Sequence, residues 1–204
     1  MPLFRNFDKQ ILYIHIPKTG GTSIENLFNY KLNFSKYHLP RYLTEHQLQH
    51  LSLDYIYRYD LLDLEEIDFI FTIVRNPYTR IISEYYWSQY NKKMTFTKFL
   101  IYVKRILCTN NTSDDDYIHY TKQSKFIKSS TSIPIKIFKF EQFDKIYEYL
   151  KKLFPNLKYR HNYKTNVTNS LSKMSIDDLS YEDISLINEL YEDDFHRFGY
   201  KMIQ

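Results

Sequence analysis

A short apolar run that leads into a glycine-containing loop constrains the fold of this chain more than any other feature. Residues 11–16 (ILYIHI) are rich in β-branched side chains and predict a buried strand. The loop at residues 17–23 (PKTGGTS) contains Gly20 and Gly21, two of only three glycines in the chain, and a helix is predicted over residues 22–32. A strand, a tight loop and a helix start in this order are typical of phosphate-binding sites. Glycines in such a loop indicate that the backbone approaches another group closely.

A second strand and helix follow further along the chain. Phe69–Val74 is apolar apart from Thr72 and predicts a central strand of a parallel sheet. Asn76 and Pro77 begin a helix predicted to run to about residue 90, because proline in the first turn lacks only an N–H that the helix does not use. Arg75 therefore lies at the carboxyl end of a buried strand, where open α/β sheets bind their ligands.

The rest of the chain alternates strand-like and helix-like patterns. A strand near the sheet edge is predicted over residues 133–140, and short helices and loops over residues 33–66. Ser175 and Ser180 each precede an acidic residue by three positions, which is the pattern of a helix capping box. Further helices are predicted over residues 96–107, 117–128, 142–154 and 181–195. The alternation predicts a single α/β domain over residues 1–204, with a central, mainly parallel sheet flanked by helices.

Composition excludes several classes of protein. The net charge of +4 suits anionic ligands but is too small to indicate nucleic-acid binding. The single cysteine excludes an intramolecular disulfide and a cysteine-based zinc site, and no ligand pattern suggests another metal. No apolar run approaches the roughly 20 residues of a transmembrane segment, and the N-terminus lacks the apolar region of a signal peptide. We therefore expect a soluble, cytoplasmic protein that needs no metal.

The order of residues in the first loop distinguishes it from a Walker A motif. That motif places its lysine after the glycines, whereas Lys18 comes directly after the strand and Pro17. Backbone N–H groups of residues 20–23, at the start of a helix, would face an anion. Lys18 would add a positive charge that can follow charge developing on a transferred group. The alternative is an ordinary glycine-containing turn with a solvated lysine.

The second candidate anion site comprises Arg75 and Ser83. Arginine is suited to bidentate contact with phosphate, and Ser83 lies about two turns into the following helix, so the two side chains could converge on one phosphate. The alternative for Arg75 is a structural ion pair. The spacing of Arg80 and Glu84 predicts a solvated i,i+4 ion pair.

Taken together, the two segments resemble a known family. Residues 14–23 (IHIPKTGGTS) and 71–83 (FTIVRNPYTRIIS) are similar to the two cofactor motifs of sulfotransferases that use 3′-phosphoadenosine 5′-phosphosulfate (PAPS). The carbohydrate branch related to heparan sulfate 2-O-sulfotransferase is the most similar. The resemblance implies a P-loop-like α/β sandwich that binds a nucleotide donor. It also implies that Arg75 and Ser83 hold the 3′-phosphate. The contacts that it implies to the 5′-phosphosulfate come from Lys18, Thr19, Gly20, Gly21, Thr22 and Ser23.

Weaker similarities extend along the chain and bear on the acceptor. Residues 119–123 (HYTKQ) resemble the family's His…Gln segment on the acceptor side, which implies acceptor contacts for His119 and Gln123. Arg41 is a further candidate for an acidic sugar. Residues 191–200 (YEDDFHRFGY) resemble the family's C-terminal helix ending. The implied acceptor is a hydroxyl group, on a glycan or glycoconjugate.

Sulfuryl transfer requires neutralisation of the leaving phosphate and a base for the acceptor proton. Lys18 is the candidate for the first task, because it can stabilise the bridging oxygen as the bond breaks. His38 is the candidate base, because it lies between the two motifs, where related carbohydrate enzymes supply a histidine. His119 is a second candidate, although acceptor binding is favoured for it, and Glu45, Glu141 and Asp68 are further alternatives. We expect His15 to be structural or to support a ligand-binding residue from behind, and His46 and His50 to lie on a helix face or in solvent.

Two other functions are alternatives to sulfuryl transfer for this sequence. A P-loop nucleotide kinase or NTPase would bind a similar donor, but the Gly-x-x-x-x-Gly-Lys-Ser/Thr pattern and a clear aspartate for Mg²⁺ are missing from the sequence. A non-catalytic anion-binding module could retain the fold. The joint presence of Lys18, Arg75 and Ser83 favours an enzyme.

Overall fold

Four strands form one sheet in the computed structural model, which describes residues 3–6, 9–28, 48–111, 114–128, 134–155 and 174–204. The order in the sheet is β1-β2-β3-β4, with β1 antiparallel to β2 and the other pairs parallel. The strands are β1 (Leu3–Asn6), β2 (Lys9–Ile14), β3 (Phe69–Val74) and β4 (Ile135–Lys139). The predicted α/β class with a mainly parallel sheet is confirmed, as are the central position of β3 and the edge position of β4 within the described residues.

Helices occupy most of the remaining described residues. Asn76 caps the third helix by accepting the N–H of Tyr78 (3.0 Å), as the Asn-Pro pair predicts. The capping boxes predicted at Ser175 and Ser180 are both present. The α-helices are α1 (Gly21–Leu27), α2 (Leu53–Arg58), α3 (Pro77–Trp87), α4 (Phe96–Thr109), α5 (Asp115–Tyr120), α6 (Gln123–Phe126), α7 (Phe143–Leu153) and α8 (Tyr181–Phe198).

The chain divides into two units, each with its own apolar core. The first unit comprises Met1–Val74 and Phe126–Val167, and the second comprises Arg75–Lys125 and Thr168–Gln204. The prediction of one domain over residues 1–204 stays a prediction. No helix among the described residues has both the length and the apolarity that crossing a membrane requires.

The core of the first unit lies between the sheet and its helices. Tyr13 of β2 stacks on Phe71 of β3 with ring centroids 4.8 Å apart. Ile24 of α1 and Leu150 of α7 are completely buried in the same cluster. Consecutive residues of β2 and β3 are buried, and alternate ones, such as Ile11 and Tyr13, join the apolar residues of the helices in this core.

The core of the second unit joins α3, α4 and α8. Tyr85 of α3 packs against Phe96 and Phe99 of α4 at centroid distances of 5.1 and 5.2 Å. Phe195 of α8 contacts Tyr78 at 4.9 Å. Aromatic side chains therefore fill this core, which accounts for many of the chain's tyrosines and phenylalanines.

The helix predicted over residues 117–128 is two helices, α5 and α6, separated by extended backbone at Thr121. Arg80 explains the break: its guanidinium donates to the carbonyl oxygens of His119 (2.8 Å) and Thr121 (3.1 Å). The predicted solvated pair of Arg80 with Glu84 is therefore wrong, since Arg80 is only 3% exposed. Buried arginine is tolerated because several donors of the guanidinium are hydrogen-bonded.

Candidate functional site

The loop between β2 and α1 has an unusual backbone conformation. Lys18 adopts a φ of 65° and Gly20 a φ of 86°, both in the left-handed region. For a residue with a side chain this costs about 1–3 kcal/mol, and such strain is concentrated at functional sites. The buried hydroxyl of Thr19 donates to the carbonyl oxygen of Ile16 (2.8 Å) and holds the turn together. The half-buried Lys18 thus projects from a fixed turn.

The two glycines of this loop are each explained by a close neighbour. A Cβ atom on Gly21 would lie 1.7 Å from Nε2 of His15, which is impossible without rearrangement. A Cβ atom on Gly20 would lie 3.0 Å from the Phe140 ring, and its positive φ disfavours any side chain. The close approach predicted from these glycines is therefore made, at this face of the loop, by the protein's own aromatic rings.

A buried polar network lies beneath the loop. Nδ1 of His15 lies 2.8 Å from Oε1 of Glu25, and the amide of Gln49 donates to both oxygens of Glu25 (3.0 and 3.1 Å). Burial alone would raise the pKa of Glu25, but these hydrogen bonds from His15 and Gln49 outweigh it and lower the pKa. The structural role predicted for His15 is confirmed. Of the two alternatives predicted for His50, a helix face or solvent, exposure to solvent is wrong, because the ring is buried with Nδ1 2.8 Å from the carbonyl oxygen of His15.

The backbone amides at the start of α1 differ in their partners. The N–H of Ser23 donates to the carbonyl oxygen of Gly20 (3.0 Å), so it closes the turn rather than facing outward as predicted. Within the described part of the chain, no acceptor takes the N–H of Gly21 or Thr22, as is usual for the first residues of a helix. These two amides, with Lys18, form the part of the loop that is suited to an anion.

Two side chains of the second unit, Gln123 and Thr79, hold Arg75 in place. Its backbone N–H donates to Oε1 of Gln123 (2.8 Å), and its carbonyl oxygen accepts from Nε2 of the same residue (2.9 Å). Its Nε donates to the hydroxyl of Thr79 (3.0 Å). Both the backbone and the direction of the guanidinium are therefore fixed by neighbours.

Thr79 and Ser83 lie one turn apart on the same face of α3. The Thr79 hydroxyl in turn donates to the carbonyl oxygen of Asn76 (3.2 Å). Ser83 is half-buried, and its position continues the row that begins with Arg75 and Thr79. The structure is therefore compatible with the predicted pairing of Arg75 and Ser83. Sequence reasoning missed Thr79, although its i+4 spacing from Arg75 could have indicated the contact.

The predicted acceptor residues His119 and Gln123 are both buried in the second unit. Nδ1 of His119 lies 2.9 Å from Oε2 of Glu84, which is itself buried. The His119 ring stacks on Trp87 with centroids 4.7 Å apart, and Trp87 is 54% exposed. Gln123 is completely buried, and its side-chain amide is hydrogen-bonded to the backbone of Arg75. Acceptor binding by either residue stays a prediction, and Trp87 is a solvent-facing neighbour that sequence reasoning missed.

Several predicted residues lie outside the described residues. The candidate base His38 and the candidate acceptor residue Arg41 are among them. The first loop belongs to the first unit, whereas Arg75, Ser83, His119 and Gln123 belong to the second. Within the described ranges, no group of three or more histidine, cysteine or acidic side chains is arranged to hold a metal ion.

A protein-family model matches almost the whole chain. A family model described as "Sulfotransferase family" matches residues 1–201. Comparisons with curated proteins and with solved structures gave no significant match. The matched span includes both candidate loops and almost the whole chain.

Proposed function

Because the chain belongs to the sulfotransferase family, we propose that it transfers a sulfuryl group from PAPS to a carbohydrate hydroxyl. Family membership supports sulfuryl transfer in general; the donor, the acceptor and the roles of individual residues are our proposal. The observation that carries the proposal is the strained, fixed turn that presents Lys18 beside the amides of Gly21 and Thr22. These groups are suited to a dianionic group that is being transferred or released.

The donor is held by residues of both loops in this proposal. Lys18, Thr19, Gly20, Gly21, Thr22 and Ser23 bind the 5′-phosphosulfate. Arg75 and Ser83 bind the 3′-phosphate. The support for Arg75 is its fixed guanidinium, because Thr79 orients Nε and Gln123 fixes the backbone. A guanidinium that is oriented before binding loses less entropy when phosphate arrives.

Lys18 and His38 have separate roles in the proposed reaction. As the sulfuryl group moves in line to the acceptor oxygen, the bridging oxygen of the donor gains negative charge. Lys18 stabilises that charge, and a positioned cation of this kind acts mainly in the transition state. His38 accepts the proton of the acceptor hydroxyl. A general base typically contributes about 10²–10⁴-fold in rate, so His38→Ala should reduce transfer by that factor.

The acceptor is a carbohydrate hydroxyl in this proposal, with Arg41 and His119 on the acceptor side. The exposed ring of Trp87 beside His119 supports this choice. Aromatic rings offer flat apolar surfaces to the C–H faces of sugar rings. A nucleotide kinase or NTPase remains the alternative function, and Mg²⁺-dependent ATP turnover would favour it.

Transfer assays with the Lys18→Ala variant test the proposal. We expect release of adenosine 3′,5′-bisphosphate from PAPS to depend on a carbohydrate acceptor and to fall about 10²-fold or more in the variant, because the lost charge acts on the leaving group. Binding of the bisphosphate, measured by calorimetry, should weaken much less. A variant that loses binding and rate in equal measure would show that Lys18 only binds the nucleotide. Wild-type protein that consumes ATP but not PAPS would overturn the proposed donor.

A further inference from the structure

The backbone of Arg75 is held by a buried relay that begins on the last helix. The carboxylate of Asp194 accepts the N–H of Gln123 through Oδ2 and the N–H of Ser124 through Oδ1, both at 2.8 Å. Asp194 and Gln123 are both completely buried. The Gln123 side chain in turn accepts the backbone N–H of Arg75 (2.8 Å) and donates to its carbonyl oxygen (2.9 Å). All these residues belong to the second unit.

The donors and acceptors of Asp194 and Gln123 determine which residue positions which. An ionised carboxylate only accepts, so Asp194 fixes the backbone from which Gln123 projects. The Gln123 amide carries both a donor and an acceptor, and it uses them on the C=O and the N–H of Arg75. Nε2 of Gln123 also lies 3.4 Å from Oδ2 of Asp194, which favours the amide orientation with nitrogen on that side. Burial makes each of these bonds costly to lose without replacement.

We propose that Gln123 and Asp194 are positioning residues that set the site for the 3′-phosphate by fixing Arg75. The inference rests on the proposed function, in which Arg75 binds that phosphate. It assigns the two weaker family-like segments, residues 119–123 and 191–200, a role in donor recognition through Arg75. Gln123 therefore acts on the donor side rather than on the acceptor.

The test compares two nucleotides that differ only in the 3′-phosphate. Calorimetry gives the Kd of adenosine 3′,5′-bisphosphate and of adenosine 5′-monophosphate for wild type, Gln123→Leu, Asp194→Asn and Arg75→Ala. We expect wild type to prefer the bisphosphate, and Gln123→Leu to lose at least tenfold of that preference while its affinity for the monophosphate changes by less than about twofold. Asp194→Asn should lose part of the preference. Asp193→Asn is the matched control on the same helix, because Asp193 is exposed and pairs only with Lys122 among the described residues.

The coupling between Gln123 and Arg75 provides a second measure. If Gln123 acts through Arg75, the double variant Arg75→Ala/Gln123→Leu should bind the bisphosphate no more weakly than Arg75→Ala alone. Should Gln123→Leu fail to fold, Asp194→Asn and Gln123→Glu carry the same comparison. Variants that lose affinity for both nucleotides equally, or that keep the wild-type preference, would overturn the positioning role alone. A wild-type protein without preference for the bisphosphate would overturn the proposed function as well.

Discussion

At the scale of single residues, the His15 ring leaves no room for a side chain at Gly21 in the first loop. The His15 ring occupies the place where a Cβ of residue 21 would lie, with Nε2 at 1.7 Å from that position. The same ring is fixed from its other nitrogen by Glu25 at 2.8 Å. A side chain at position 21 would therefore displace either the loop or the buried network.

Gly21→Ala should consequently destabilise the fold. We expect a loss of about 1–3 kcal/mol in the free energy of unfolding, as for other overpacked sites. Urea unfolding of Gly21→Ala, His15→Ala and the double variant measures the coupling, and the double variant should be more stable than the sum of the two single changes predicts. Thr22→Ala is the stability control, since Thr22 is exposed one position further on. Strictly additive losses would show that His15 is not the obstacle.

Glu25 makes the stability of the first unit dependent on acid. Its pKa is lowered in the folded state, because hydrogen bonds from His15 and Gln49 outweigh the opposing effect of burial. A lowered pKa stabilises the fold above the pKa of the unfolded state, and this contribution is lost as the pH falls through the folded pKa. The stability advantage of wild type over Glu25→Gln should therefore shrink from about pH 5 downward, below the range in which histidines ordinarily titrate.

Unfolding by urea at several pH values measures this difference. The exposed Glu65→Gln serves as the control and should show a much smaller dependence on pH. A difference between wild type and Glu25→Gln that stayed constant or grew in acid would contradict the assigned hydrogen bonds.

At the scale of secondary structure, the start of α8 is tied to α4. Asp183 accepts the N–H and hydroxyl of Ser180 through Oδ2 (3.1 and 2.7 Å), and the Thr97 hydroxyl through Oδ1 (2.7 Å). Thr97 lies on α4, so one buried carboxylate both caps α8 and joins it to a neighbour. The capping box therefore has a tertiary role.

Because of this second contact, we expect two variants of the cap to differ in stability. Ser180→Ala should cost about 1 kcal/mol of stability, the usual value of a helix N-cap. Asp183→Ala should cost more, because it also leaves the Thr97 hydroxyl without its partner. Thermal and urea unfolding measure both, with the exposed neighbour Glu182→Ala as control. Asp183→Ala as stable as Glu182→Ala would show that the link between α4 and α8 contributes nothing.

Elements with local signals were predictable from the sequence, and those fixed by distant partners were not. The apolar run of β3 and the Asn-Pro pair at the start of α3 are signals within the elements themselves. The bounds of β3 and the start of α3 were therefore predicted nearly to the residue. The break at Thr121 depends on Arg80, about 40 positions away in the chain, and on Asp194 beyond it. Strand β1 was missed because four residues give too little pattern to identify a strand.

The candidate site divides in the same way. Lys18, the glycines, Arg75 and Ser83 stand in two contiguous motifs, so the sequence could propose them as candidates, and their roles stay predictions. Arg80 and Glu84 have the spacing of a surface pair, but buried partners elsewhere in the fold take both side chains. Spacing along a helix shows which residues share a face, and it does not show whether that face is covered.

At the scale of the whole molecule, the two candidate loops belong to different units of the chain. The first unit supplies the turn with Lys18, and the second supplies the fixed Arg75 with its relay. The mild positive charge of +4 suits a small anionic donor without requiring a polyanionic partner. In the proposed function, Lys18 contacts the 5′-phosphosulfate and Arg75 contacts the 3′-phosphate of the donor.

Calorimetric titration with adenosine 3′,5′-bisphosphate and with ATP tests the assignment of the 3′-phosphate to Arg75. We predict that wild type binds the bisphosphate about tenfold to a hundredfold more tightly than ATP, because charge-assisted hydrogen bonds from Arg75 to the 3′-phosphate contribute about 1.5–3 kcal/mol. Arg75→Ala should bring the two affinities close together. Three results would each contradict this assignment. They are equal affinities in wild type, no binding of the bisphosphate, and an Arg75→Ala variant that binds the bisphosphate normally.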